Sequence, residues 1–238
     1  MHGNAFALRA VLDDIRSASP DLILNLGDTV WGAADPGAAW ALQAEFAPPS
    51  VRGNTDERVA GLREGKEDMR AWVRSQIPDS VPARVAALPV RLDVAGGEVR
   101  AAHGSPRSAW EDLMLTEEPA GPETAGRTRP ARLSELRERL DGFTADAGGQ
   151  VCVVGHTHRE MLAVVDGVTV LNVGPVSRQK DGLPLARWAL LTRRAGHWMP
   201  EFRRTEYDVA GAVAWCQAHA PQRVGDLEAG WLRGGREP

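Results

Sequence analysis

The chain has 238 residues, 43% hydrophobic and 25% charged, the make-up of a globular protein long enough to bury a sizeable core. Its 28 basic and 32 acidic residues leave a formal net charge of −4, which argues against wrapping a nucleic-acid polymer or lying on an anionic membrane. Only two cysteines, no apolar run of ~18 residues and no basic patch at the N-terminus exclude a disulfide framework, a transmembrane helix and a signal peptide, and predict a cytoplasmic protein.

From Ala5 to about Ser17, Leu8, Val11, Leu12 and Ile15 recur at three- and four-residue steps and predict a helix with one buried face. Pro20 ends it. Leu22 to Leu26 reads as a short buried strand closed by Gly27-Asp28, and Asp35-Pro36 as an N-cap and first helical position. Val51 is assigned to a second short strand ending at Gly53-Asn54-Thr55-Asp56, followed by a charged helix from Glu57 to about Gln76. Val90 to Val94 and Val99 to Ala102 form a predicted hairpin across Ala95-Gly96-Gly97-Glu98. His103-Gly104 closes it, with a short helix expected from Arg107 to Leu115 and a surface loop from Thr116 to Arg129.

A second amphipathic helix is predicted from Pro130 to about Ala147, then a buried strand, Val151-Cys152-Val153-Val154, ending in Gly155-His156-Thr157-His158. Two hairpins follow, Met161–Val165 with Val168–Asn172 and Arg187–Thr192 with His197–Arg203, then a helix from Asp208 to about His219 and a loose tail from Gly225 to Pro238. No repeat or linker divides the chain. Residues 1–238 therefore read as one α/β domain, a layered sheet with helices outside.

Polar groups suited to metals recur at the ends of predicted strands: Asp28, Asn54, His103, and the pair His156 and His158. Ligand sites in open α/β sheets gather beyond strand C-termini, and the adjacent glycines let the backbone turn sharply there. A carboxylate can bridge two ions. Imidazoles and an amide carbonyl suit Mn²⁺, Fe, Zn²⁺ or Ni²⁺ better than Ca²⁺ or Mg²⁺, which take oxygen shells. Such mixed sites serve two-metal phosphoester hydrolysis.

Gly27-Asp28, Gly53-Asn54-Thr55-Asp56, His103-Gly104 and Gly155-His156-Thr157-His158 resemble successive motifs of the calcineurin-like metallophosphoesterases, and His2-Gly3-Asn4 resembles the end of their first motif, Asp-x-His-Gly-Asn. His103-Gly104-Ser105-Pro106-Arg107, Asn172-Val173-Gly174-Pro175 and Tyr207-Asp208 are similar to the small bacterial phosphodiesterase branch. The resemblance implies a layered β-sandwich flanked by helices and a phosphodiesterase acting on a small phosphoester through a metal-bound hydroxide. It implies two divalent ions, Mn²⁺ foremost. His2, Asp28 and His158 would hold the first, and Asp28 (bridging), Asn54, His103 and His156 the second. Arg107 is expected to contact phosphate. No nucleic-acid polymer or membrane partner is expected, and an oligomer is open.

Two departures from the pattern stand out. The resembled motif begins with an aspartate two places before its histidine, at the end of a central strand, whereas Met1 directly precedes His2. Three explanations are open: a start codon set downstream of that strand, a carboxylate borrowed from Asp56 or Glu57, or decay of catalysis. As a chain-end residue, His2 is expected to fray. The second departure is Thr55, where many relatives carry histidine, because a threonine hydroxyl cannot act as a general acid near pH 7. The alternative function is therefore a catalytically silent member of the fold serving as a protein-interaction scaffold. Trp31 and Trp110 each follow a motif and could wall the cleft; the other tryptophans, Cys152, His197 and His219 read as packing residues.

Overall fold

A computed structural model describes residues 1–120 and 126–234. Its main sheet has five strands in the order β1-β2-β5-β7-β6, where β1 is Arg91–Val94, β2 Val99–Ala102, β5 Val151–Val154, β6 Glu160–Val165 and β7 Val168–Val173. The central β2, β5 and β7 run parallel, with β1 and β6 antiparallel at the edges. Strands covered on both faces read as continuous apolar runs, which accounts for the all-buried Val-Cys-Val-Val of β5. Because β2 and β5 are parallel neighbours, His103 and Gly155–His158 emerge side by side at one sheet end.

Alternation along β5 divides the core. Cys152 and Val154 pack with Leu136, Leu140 and Phe143 from and beyond α6 (Leu133–Arg139). Val151 and Val153 face Leu26, Leu191 and Trp198 of a second layer, built from the antiparallel ribbon of β8 (Ala186–Arg194) and β9 (His197–Thr205) and the segment 22–26. Outside that layer lies α1 (Ala5–Ala18), whose Ala7, Val11 and Ile15 pack on Ala186 and Trp188. Asn4 caps α1 by accepting from the Ala7 N–H at 3.0 Å. Among the described residues, no helix is long and apolar enough to cross a membrane.

Several expected elements differ. Leu22–Leu26 is extended yet forms no strand beyond a parallel bridge between Asn25 and Ser50, because an apolar run becomes a strand only where neighbours pair its backbone. Val51 likewise belongs to no strand. The expected helix from Glu57 is two, α3 (Asn54–Ala60) and α4 (Glu67–Gln76), separated at Gly61 and Gly65, both at positive φ. A further helix, α5 (Val81–Ala86), follows. The stretch 107–115 is turns rather than a helix, and β3 (Leu115–Glu118) pairs with β4 (Arg127–Pro130) across the expected loop, of which 121–125 lie outside the described residues.

The expected helix from Pro130 to Ala147 shortens to α6, a single-turn 3-10 segment following at Ala145–Ala147. The glycine-rich C-terminal stretch is not loose: after α7 (Val209–His219), α8 (Gln222–Leu232) buries Val224, Ala229 and Leu232 against Trp31, Trp72 and Cys216. Residues 235–238 of the expected tail lie outside the described residues.

Candidate metal centre

The N-terminal end does not fray. The Met1 amino group and the His2 N–H both donate to the Asp28 carbonyl, at 3.0 and 2.7 Å, and the Gly3 N–H donates to Thr29. Gly3 is required here: a Cβ on it would lie 2.5 Å from the Val30 carbonyl oxygen. His2 is consequently buried, as are Asp28 and His103.

Asp28 sits at the centre. Its Oδ1 accepts the Thr55 N–H at 2.9 Å, and its Oδ2 lies 3.5 Å from both His2 Nε2 and His103 Nε2. One carboxylate oxygen thus faces two rings from opposite ends of the site. The loop behind it is fixed by Asp56, whose carboxylate accepts the N–H groups of Asp28, Gly53 and Thr29 at 2.8, 2.8 and 3.1 Å.

The ring orientations follow from backbone carbonyls. His2 Nδ1 meets Trp31 O at 3.2 Å, His103 Nδ1 meets Leu26 O at 2.6 Å, and His158 Nδ1 meets Arg178 O at 2.6 Å. A carbonyl only accepts, so each Nδ1 carries a proton, and in a neutral ring Nε2 then carries a lone pair. Yet His2 Nε2 and His158 Nε2 stand 2.9 Å apart, and His103 Nε2 stands 3.1 Å from Asn54 Oδ1. His156 Nδ1 adds a third group, 3.2 Å from His103 Nε2. Lone pairs pointed at lone pairs repel unless a proton or a cation lies among them.

Protons are disfavoured on His2, His156 and His158. Burial, then the neighbouring His158, holds His2 well below its ordinary value. Burial and the nearby Lys180 charge take His158 down to about 3, and burial with His103 takes His156 down to about 4. Asp28 stays ionised, because the His103 ring and the Thr55 hydrogen bonds outweigh a burial effect that alone would raise it. The donor set therefore fits metal cations, with ligand atoms of His2, Asp28 and His158 all within 4.8 Å of one another.

These shifts have a pH consequence. An unfolded histidine binds its proton near pH 6.5, whereas His156 and His158 do so in the fold only near 4 and 3. Between those values the unfolded chain holds more protons, so stability falls as pH drops below 6.5 and carries no such penalty above it. The urea midpoint of the metal-free chain is expected to decline steadily from pH 7 to pH 4.5, with about three protons, one each for His2, His156 and His158, taken up on unfolding near pH 5. A flat profile would remove the buried neutral rings.

Of the sequence-derived candidates, His2, Asp28, Asn54, His103, His156 and His158 come together, and Arg107 does not join them. Its guanidinium is held by Glu111, at 3.1 Å from Nε, and by Glu138, at 3.0 Å from Nη1. Asp56 is committed to backbone amides, while Glu57 takes Trp110 Nε1 at 2.7 Å and faces Arg52 at 3.3 Å, so neither is free to replace a terminal carboxylate. Trp31 packs in the core, and Trp110 lies beneath Arg58 and Arg63.

Two contributors escaped the sequence reading. Asp112 reaches 3.5 Å from His156 Nε2, and burial raises its carboxyl. Arg178, whose carbonyl orients His158, is anchored through its side chain to the fully buried Glu228 of α8. Neither stands beside a recognisable motif. Backbone at His2, Asp28, His156, His158 and Arg178 is left-handed, with φ between 55° and 67°.

Residues 1–195 match the model of the calcineurin-like phosphoesterase superfamily domain, and the chain belongs to that family. Its coarse activity is accordingly that of a phosphoesterase. An uncharacterized protein of Methanocaldococcus jannaschii is 24% identical over an alignment 237 positions long that covers 89% of this chain and 87% of that one. Among solved structures, a metallophosphoesterase from Sphaerobacter thermophilus superposes with a TM-score of 0.75 at 24% identity, covering 99% of this chain and 96% of its own. A hypothetical protein from Pyrococcus horikoshii OT3 gives 0.74 at 17%, with the same coverage. These two share the fold.

Proposed function

We propose that the protein is a dinuclear-metal phosphodiesterase acting on a small phosphoester. The supporting observation is the convergence of imidazole nitrogens, an amide oxygen and one shared carboxylate oxygen at separations of 2.9 to 3.5 Å. His2, Asp28 and His158 would hold one ion, and Asp28, Asn54, His103 and His156 the other. Two bound divalent ions supply an activated water near neutral pH and offset negative charge on the phosphoryl group. Mixed nitrogen and oxygen donors suit Mn²⁺, Fe, Zn²⁺ or Ni²⁺, and the family resemblance puts Mn²⁺ foremost among them.

The protein's own part is positioning. Thr55 pins one Asp28 oxygen so that the other serves both sides, and three backbone carbonyls present Nε2 of His2, His103 and His158 inward. Because Arg107 is committed to Glu111 and Glu138, phosphate binding in this reading does not depend on it. Thr55 offers no proton near pH 7, so the leaving alkoxide departs without a side-chain acid at that position.

Metal analysis of protein purified without chelator, beside a Mn²⁺-dependent diester assay, tests the proposal. Two metals per chain are expected, with aryl diesters cleaved much faster than alkyl ones. His156→Ala should lower metal content and reduce turnover by roughly 100-fold or more. A folded chain that takes up no metal would instead favour the scaffold reading.

A further inference from the structure

Arg178 carries the carbonyl that accepts from His158 Nδ1 at 2.6 Å, and its backbone is left-handed, with φ 65°. A non-glycine residue in that region is strained and persists only where its surroundings hold it. The anchor is Glu228 of α8: Arg178 Nε donates to Oε1 at 3.1 Å, and Nη2 donates to Oε2. Glu228 is wholly buried, and the Arg178 side chain is only 12% exposed. Taking such a pair out of water costs about as much as the attraction returns, so stability is a weak reason for its presence. A planar two-bond fork does fix direction, which is what a ring facing a metal needs.

The other ring assigned to the first ion leans on the same helix. His2 Nδ1 meets Trp31 O at 3.2 Å, and Trp31 shares a buried cluster with Val224, Ala229 and Leu232 of α8. Gly32 stands between His2 and Glu228: a Cβ on it would lie 1.9 Å from the His2 carbonyl oxygen and 3.4 Å from Glu228 Oε1. The rings assigned to the second ion rest elsewhere, His103 on the Leu26 carbonyl and His156 beside Asp112. Electrostatics points the same way. Burial does most to keep protons off His2 and His158, and the Arg178 guanidinium adds to it. A charge that repels a proton also repels a divalent cation, and the Glu228 carboxylate offsets that charge.

We propose that Glu228 is a positioning residue for the first ion: through Arg178 it sets the His158 ring and balances the buried positive charge beside it, while the second ion's ligands do not depend on it. This rests on the two-ion reading above and adds to it a residue of α8, beyond the family domain that spans residues 1–195.

The test is Glu228→Gln, which keeps the side-chain shape but turns an amide NH₂ toward an Arg178 N–H and leaves the guanidinium charge unbalanced. Metal-free parent and variant are first compared by NMR of their ring Nδ1–H groups. Exchange of the His158 Nδ1–H with water is expected to quicken at least about tenfold, with that of His103 unchanged. Mn²⁺ titration should then give two ions for the parent and one tightly held ion for the variant, the other weakened about 10–100-fold. If Glu228→Gln does not fold, Arg178→Gln combined with Glu228→Gln, which leaves no unpaired buried charge, is read at the same ring with the same expectation. Unchanged exchange at His158 overturns the proposal, as does equal weakening of both ions. A parent that takes up no Mn²⁺ removes the two-ion reading instead; the ring exchange, measured without metal, still decides whether Glu228 positions His158.

Discussion

Asp28→Asn is expected to lower kcat/KM by about 10³-fold or more, equivalent to about 4 kcal/mol of transition-state stabilisation, while leaving the fold intact. The asparagine Oδ1 can still accept the Thr55 N–H, which Asp28 accepts at 2.9 Å. Its amide then faces His2 Nε2 and His103 Nε2, both 3.5 Å from the replaced oxygen, as a donor to their lone pairs. The variant therefore supplies internally what cations supply in the parent. Its metal-free melting temperature should match or exceed the parent's, and the rise in melting temperature on adding Mn²⁺ should vanish. Parallel metal analysis and thermal melts decide this. An Asp28→Asn chain that keeps two metals and normal turnover would remove Asp28 from the centre.

Asp56→Ala is expected to fail in the opposite way, through stability. Its carboxylate is wholly buried and accepts three backbone N–H groups, from Asp28, Thr29 and Gly53. Orphaning three buried donors at about 1–3 kcal/mol each costs at least about 3 kcal/mol. Part is returned, because burial and the nearby Asp28 charge already raise the Asp56 carboxyl and disfavour its ionised form. A drop of roughly 6–12 °C in thermal midpoint should remain, since about 1 kcal/mol moves a chain of this length by about 2–4 °C. An unchanged midpoint with lost activity would instead make Asp56 a participant in the chemistry.

The contrast between these two aspartates marks what the sequence could reveal. Asp28 lies beside a glycine after an apolar run and reads as a ligand, while Asp56, two positions past Asn54, looks equally available. Only the fold shows that its oxygens are taken. Val151–Val154 and its Gly-His-Thr-His ending were legible, because burial on both faces and a cluster of ligand types leave a compositional trace. The anchoring of the histidines was not, since carbonyls of Trp31, Leu26 and Arg178 carry no side-chain signature. Arg107 was misleading for a related reason: its partner Glu138 lies 31 residues away on α6. Leu22–Leu26 shows a third limit: the apolar run predicts a buried strand, yet Leu22 is 48% exposed and the segment pairs only through the Asn25–Ser50 bridge. The stretch carrying Glu228 looked loose because its glycines obscured a short apolar face.

The left-handed backbone at His2, Asp28, His156, His158 and Arg178 bears on how ions are acquired. Each non-glycine residue so held costs about 1–2 kcal/mol, and that cost is met during folding by the surrounding hydrogen bonds. Incoming cations consequently encounter a pre-organised cradle, and little of their binding energy is diverted into rearranging it. Capture should then be quick and nearly independent of loop motion, with selectivity among metals set by donor chemistry rather than by how far the protein must close.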